Sequence, residues 1–160
     1  MNIKFAAILL ISLIANPGMV NAGNNVEIVK TMINLVNGRE LDSLHTVFAD
    51  DVVRHSAATP GVVVTSLDEF KAFLEVDFAA VPDSVQEVDI IFGSDDMVAV
   101  MARYIGTQTG QMGPFPPSDK RVELPFMAIL RIENDRIVEL WVEWDNVSIL
   151  TQLGHMPTPE

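Results

Sequence analysis

The sequence predicts an α+β fold, a curved and mostly antiparallel sheet with helices packed on its concave face, and three observations predict it. Apolar residues recur at helical spacing through the first half of the chain, then at a spacing of two from Ser84 onward. The period-two segments follow one another through turns and one Gly/Pro-rich tip, "GQMGPFPPSDK", as in a four-stranded meander. No internal repeat or linker interrupts the order, so the preceding helices must cover one face of that sheet.

The chain opens with "MNIKFAAILLISLIANPGMVNAG": one lysine, an apolar run from Phe5 to Ala15, a Pro17-Gly18 break, and small residues at Val20 and Ala22. This is the three-part pattern of a secretory signal peptide, residues 1–22, cut after Ala22, and it predicts an exported, periplasmic or secreted protein. The apolar run is shorter than the roughly 20 residues of a membrane span. Removal of Lys4 with the signal leaves 22 acidic against 9 basic side chains, 13 net negative charges. Such a surface repels phosphate backbones and anionic lipid, so neither nucleic acid nor a membrane is an expected partner of the mature domain. The absence of cysteine excludes disulfides and thiolate ligands.

In "NNVEIVKTMINLVNG", Val26, Val29, Met32, Ile33 and Val36 mark a helix, with Asn24 or Asn25 as its cap and Asn37-Gly38 as its end. A second short helix runs from about Arg39 to Phe48, with Leu41, Leu44, Val47 and Phe48 inward. "DVVRHS" is a short strand. Ser66, followed three residues later by Glu69, forms a capping box at the head of the next helix, which Pro82 closes. "SVQEVDIIFG", "DMVAVMARYIGTQTG", "RVELPFMAILRIEND" and "RIVELWVEWD" are the four strands, with Asn134-Asp135 turning between the last two. "NVSILTQLG" is a short helix ending at Gly154, and a tail of residues 156–160 follows the 23–155 domain.

A curved sheet closed by helices is a cone with an interior. On "MVAVMARYIGT" Met97, Ala99, Met101 and Arg103 share one face and Val98, Val100, Ala102 and Tyr104 the other. Arg103 stands in an apolar row and needs an anionic partner or water, with Glu143 and Asp145 the natural candidates. Alternation in "ELWVEWD" puts Glu139, Trp141, Glu143 and Asp145 on one side and Leu140, Val142 and Trp144 on the other, the second being plain core.

"ELWVEWDNVSILTQLG" resembles the closing signature of the SnoaL-like polyketide cyclases, or ester cyclases, of the nuclear-transport-factor-2-like superfamily. Further matches follow in the family's order: His55, Gly61, "FAAVPD" (78–83), "GSDDMVAV" (93–100), "GTQTG" (106–110), "PPSDK" (116–120) and "QLG" (152–154). The resemblance spans essentially the whole mature chain. It implies a cone that dimerises through the outer sheet face, holds a small hydrophobic molecule, and closes rings by aldol chemistry with neither metal nor organic cofactor. By that resemblance Asp145 is the general acid/base, Trp141 a cavity wall and His55 a polar cavity residue. The chain departs from the pattern at Gln108, where many relatives carry histidine, at Ser118-Asp119, and in its export signal.

Carbon deprotonation beside a carbonyl needs a base raised from its ordinary pKa near 4, which burial of Asp145 beside Trp141 would supply. Arg103, Gln108 or His55 would polarise the carbonyl oxygen, and Tyr104 is a further ligand-contact candidate. Beside each role stands a structural one: Asp145 also suits the N-cap of the last helix, Trp141 core packing, and His55 a strand-end polar contact. His45, His55 and His155 are scattered without metal-ligand spacing. Three activities fit: a cofactor-free cyclase or isomerase, a non-catalytic binding module, and a cone-fold hydrolase or dehydratase with a second buried carboxylate near Arg103.

Overall fold

The computed structural model describes the backbone of residues 17–157 and the side chains of residues 22–157. The apolar run Phe5–Ala15 and residues 158–160 lie outside the described residues. Helix α1 (Pro17–Asn37) begins earlier than its apolar spacing indicated. Pro17 is compatible with a first helical turn, where a missing N–H costs nothing, so the helix extends through the expected cleavage position. Asn24 and Asn25 are therefore not caps. Asn25 is buried and donates to the Asp95 carbonyl (3.0 Å), and Asn24 donates to the Asp135 carboxylate (2.9 Å), which ties α1 to two hairpin tips. No helix among the described residues is long and apolar enough to cross a membrane.

After α1 the left-handed position falls on Arg39 (φ 61°) and not on Gly38. Its guanidinium compensates by donating to the carbonyls of Val36, Pro82 and Ser84 and lying 3.8 Å over the Phe78 ring. The expected second helix is a single 3₁₀ segment, Leu41–Thr46, and Phe48 already belongs to strand β1 (Phe48–His55). Helix α2 (Leu67–Ala80) starts at Ser66, whose hydroxyl accepts from the Glu69 N–H; Glu69 reaches back to the Thr65 N–H at 2.7 Å.

Strands β2 (Val85–Ser94), β3 (Met97–Thr107), β4 (Arg121–Glu133) and β5 (Arg136–Trp144) form the meander. The spatial order is β1-β5-β4-β3-β2, antiparallel except that β1 runs parallel beside β5. Asn134 (φ 49°) and Asp135 (φ 59°) make the β4–β5 turn, both left-handed as a two-residue hairpin requires. Register shifts in β1, at Val88/Ile90 in β2 and at Arg131/Ile132 in β4 bend the sheet. Val29, Ile33 and Val36 of α1 and Phe70 and Leu74 of α2 pack on Val98, Val100, Ala102, Leu130 and Leu140, which makes these strand residues the concave face. Helix α3 (Asn146–Leu153) closes the far end, with Gly154 left-handed (φ 80°) behind it.

Candidate active site

The concave face does not close on the helices everywhere. Between α1, α2, α3 and the sheet lies a cavity of about 650 Å³ with mostly apolar walls, lined by Met32, Phe70, Phe73, Val100, Leu124, Phe126, Ala128, Val142 and Trp144 among others. Its polar groups are few: Arg54, Thr59, Asp77, Gln86, Tyr104 and Asn146. Two loops, one with Ala58 to Val62 and one with Met112 to Phe115, complete the lining.

Asp77 reaches the cavity because α2 repeats its inward stripe at Phe70, Phe73, Leu74 and Asp77, three or four residues apart. Tyr104 reaches it from β3, where it shares a face with Ala102 and Val100. The two meet: the Tyr104 hydroxyl lies 3.1 Å from each Asp77 carboxylate oxygen. Burial pushes the Asp77 carboxyl up to about 6, against the opposite pulls of the Tyr104 hydrogen bond and the Arg39 charge. Burial, and next the neighbouring Asp77 charge, raise the Tyr104 phenol as well. The phenol stays protonated at neutral pH and the carboxylate titrates near it, an arrangement suited to passing one proton at a time.

Arg54 is the cavity's cation. It is 5 % exposed, with its guanidinium 4.3 Å over the Phe73 ring and 5.8 Å from that of Trp144. Nη1 donates to Thr59 Oγ1 at 2.9 Å, while Nη2 is buried and meets no acceptor among the described residues. Burial lowers its pKa, partly offset by the charge of Glu143. Glu143 gives its oxygens to the Ala57 and Ala58 N–H groups instead, holding the loop that follows β1.

The residues singled out from sequence go to different places. Tyr104 lines the cavity. Trp141, expected as a cavity wall, lies on the opposite face of the sheet, stacked on His55 with ring centroids 5.2 Å apart. His55 donates from Nε2 to Glu139 at 2.8 Å, and Arg131 completes the cluster by pairing with the other Glu139 oxygen. The face named as plain core, Leu140, Val142 and Trp144, is the one that lines the cavity. Sheet parity explains the exchange: Arg54 pairs with Leu140 and His55 with Trp141, so neighbours in sequence take opposite faces.

Arg103 also points away from the cavity. Its partners are Glu87 (2.8 Å), Asp89 (3.2 Å) and Glu123 (2.8 Å), not Glu143 or Asp145, because β3 is separated from β5 by β4 and the bulge after Val88 swings Asp89 toward it. Gln108 is fully buried but outside the lining. Its amide donates to the Gly110 and Pro116 carbonyls and its oxygen accepts from His155 Nε2 (2.8 Å), which anchors the loop that carries Met112 to Phe115. Asp145 caps α3: it accepts from the N–H groups of Val147 (2.9 Å) and Ser148 (3.3 Å) and the Ser148 hydroxyl (2.6 Å), and these bonds, the hydroxyl's first, hold its pKa below the ordinary range.

Sequence reasoning missed Asp77 and Arg54. The signal for Asp77 was its helical spacing from Phe70, Phe73 and Leu74; that for Arg54 was its alternation with Val52 in β1. The glycines of "GTQTG" answer to packing. A β-carbon on Gly110 would stand 2.0 Å from the Ala79 carbonyl oxygen and one on Gly106 2.4 Å from Val81, so "FAAVPD" and "GTQTG" are two sides of one close contact, sealed by Asp83 bonding to Thr107.

A family model described as SnoaL-like polyketide cyclase matches residues 26–153. Among solved structures, the chain is similar to a protein from Jannaschia Sp. CCS1 described as a SnoaL-like polyketide cyclase, with TM-score 0.77 and 22% identity over 85% of this chain and 95% of that one. It is similar to IdmH from Streptomyces antibioticus, described as a polyketide cyclase, with TM-score 0.72 and 25% identity over 81% and 98%. It is also similar to an LEH-like epoxide hydrolase from M. tuberculosis, with TM-score 0.67 and 12% identity over 83% and 91%. The first and third likenesses are likenesses of fold. No curated protein matches the chain in sequence.

Proposed function

Because the chain belongs to the SnoaL-like polyketide cyclase family, we propose that its cavity binds a small, mostly apolar carbonyl compound and that Asp77 moves a proton at the carbon beside the carbonyl. The observation that carries this reading is the Asp77–Tyr104 pair in the wall of an apolar cavity of about 650 Å³. In the forward step the C–H bond breaks, the proton passes to an Asp77 oxygen, and the electron pair moves onto the carbonyl oxygen as an enolate. The enolate carbon then attacks a second carbonyl of the same molecule, a C–C bond forms, and the proton returns from Asp77 to the new alkoxide. Atoms and electrons balance without a cofactor. Tyr104 holds the carboxylate in place.

Asp145 enters this reading as a helix cap. A base at that position would have to release three hydrogen bonds, and its lowered pKa makes it the weaker base of the two.

The test is single turnover or hydrogen–deuterium exchange at the acidic carbon of a bound cyclic or acyclic ketone. Exchange catalysed by the wild type and lost in Asp77→Asn, with ketone affinity retained, is the expected result. Equal exchange by both forms would sink the proton-transfer reading. Affinity without exchange in the wild type would leave the second reading, a non-catalytic binding module, which the commitment of both Asp145 and Gln108 to structural bonds favours.

We further infer a homodimer and export. Ile90, Phe92, Met101, Met127 and Ile129 are exposed large apolar residues on the outer sheet face, a surface suited to a second copy of the chain. Export rests on the residue pattern of 1–22; the amino-terminal residue of the protein recovered from cells tests it, with Gly23 expected.

A further inference from the structure

Arg54 carries a charge that no ion pair among the described residues balances; the Glu143 charge offsets only part of the burial. Arg54 lines the cavity from β1 beside the rings of Phe73 and Trp144, 5 % exposed, and forms no ion pair among the described residues. Thr59 takes one N–H of Nη1, and the nearby Glu143 carboxylate is occupied by the Ala57 and Ala58 amides. Nη2 is buried and meets no acceptor among the described residues. A buried guanidinium left in this state is costly, and an incoming anion would remove that cost. A transient enolate would not, because the charge it brings is absent while ligand binds; a carboxylate brings its charge from the start.

We propose that the cavity's ligand is an apolar oxo acid whose carboxylate is received by the Arg54 guanidinium beside Phe73 and Trp144. This rests on the reading of the cavity as a site for a carbonyl compound and names its class. Phe73, under the guanidinium, and Asp77 are four residues apart on α2, about 6 Å along the helix axis. A ligand anchored by its carboxylate at Arg54 therefore brings a carbon a few bonds away to the Asp77 carboxylate, and the rest of its chain meets Phe126, Ala128 and Val142. The acid also gains the specificity of a charge-assisted hydrogen bond, which a neutral ester of equal length lacks.

The experiment is calorimetric titration of the full chain at pH 7.5 with decanoate and with methyl decanoate, two probes that differ in charge and barely in apolar surface. The wild type is expected to prefer decanoate by about tenfold or more. Arg54→Met is expected to lose that preference while holding the ester within about threefold of wild-type affinity, and Arg54→Lys, which keeps the charge, to retain part of it. Equal affinity of the wild type for acid and ester overturns the carboxylate assignment and leaves the apolar cavity reading standing. Binding of neither probe overturns both. Should Arg54→Met fail to fold by circular dichroism, the wild-type comparison and Arg54→Lys decide; a preference undiminished in any folded variant lacking the charge also overturns the assignment.

Discussion

The Tyr104 hydroxyl contacts both oxygens of the Asp77 carboxylate at 3.1 Å, and this contact opposes the burial that raises the carboxyl to about 6. Proton abstraction requires the ionised form. Activity is therefore expected to rise with pH along a limb centred near 6 and to level above it. Asp77→Asn should lower kcat by about a hundredfold or more while ligand affinity holds. Tyr104→Phe removes a bond that favours the carboxylate, so the limb should move to higher pH. A limb unmoved in Tyr104→Phe would show that the phenol does not set the carboxylate's acidity.

The same residue leaves a mark on stability. The folded pKa of Asp77, about 6, lies above its ordinary 3.8, so between those values the folded state holds more protons than the unfolded one. Stability must then fall as pH rises from about 4 to about 6, by at most about 3 kcal/mol at about 1.4 kcal/mol per pH unit. Asp77→Asn should flatten that part of the curve. Urea unfolding of both forms at a series of pH values measures the difference.

Asp145 accepts two backbone N–H groups at the start of α3. Asp145→Ala should cost about 1 to 2 kcal/mol of unfolding free energy, and Asp145→Asn, itself a good cap, only a few tenths. Turnover per folded molecule is expected to stay within about twofold in both. A hundredfold loss of turnover in well-folded Asp145→Asn would return the acid/base role to Asp145.

Gly110 has no room for a side chain, with the Ala79 carbonyl 2.0 Å from where a β-carbon would stand. Gly110→Ala should destabilise the protein by about 2 kcal/mol or more, since backbone must move on one side of the contact. Gly113, with nothing within 4 Å but a left-handed φ of 53°, should tolerate the same change better, at about 1 kcal/mol. Thermal unfolding of the two variants ranks them.

A pair of copies joined through the outer face would bury Phe92 and Met127, now 61% and 65% exposed. Met127→Lys combined with Phe92→Lys should convert a dimer to a monomer, read by light scattering at micromolar concentration. An unchanged mass would move the interface elsewhere.

What could be read from the sequence was what is local. The Ser66 and Asp145 caps, the Asn134-Asp135 turn and the Gly154 stop are each fixed by a few adjacent residues, and the strands of the meander pair in sequence order, β2 with β3 and β4 with β5 through tight turns and β3 with β4 across a longer tip. The α+β fold was legible for that reason. Alternation also separated Trp141 from Trp144 correctly, but the pairing that sets Arg54 beside Leu140 and His55 beside Trp141 joins β1 to β5, residues more than eighty apart. Carboxylates flanking Trp141 drew attention to the face opposite the cavity. Arg54 went unread because a charge between apolar residues and a histidine looks like a strand end reaching water, and Asp77 because one carboxylate on an acidic helix looks like solvent face. Both are seen to line the cavity only once β1, α2 and the concave face of the sheet are packed together.

Gln108 divides the molecule's labour. Asp77, Tyr104 and Arg54 stand on a helix and two strands, whereas Met112 to Phe115 hang from a loop held at its base by the buried Gln108 amide and by the Gly110 N–H on the Ala80 carbonyl (2.9 Å). Insertions, deletions or substitutions between Gln111 and Phe115 are therefore expected to leave Asp77, Tyr104 and Arg54 in place. On the proposed reading, the contacts that select a ligand can change there without moving the groups that would handle the proton, so differences among relatives should be sought first in that five-residue stretch.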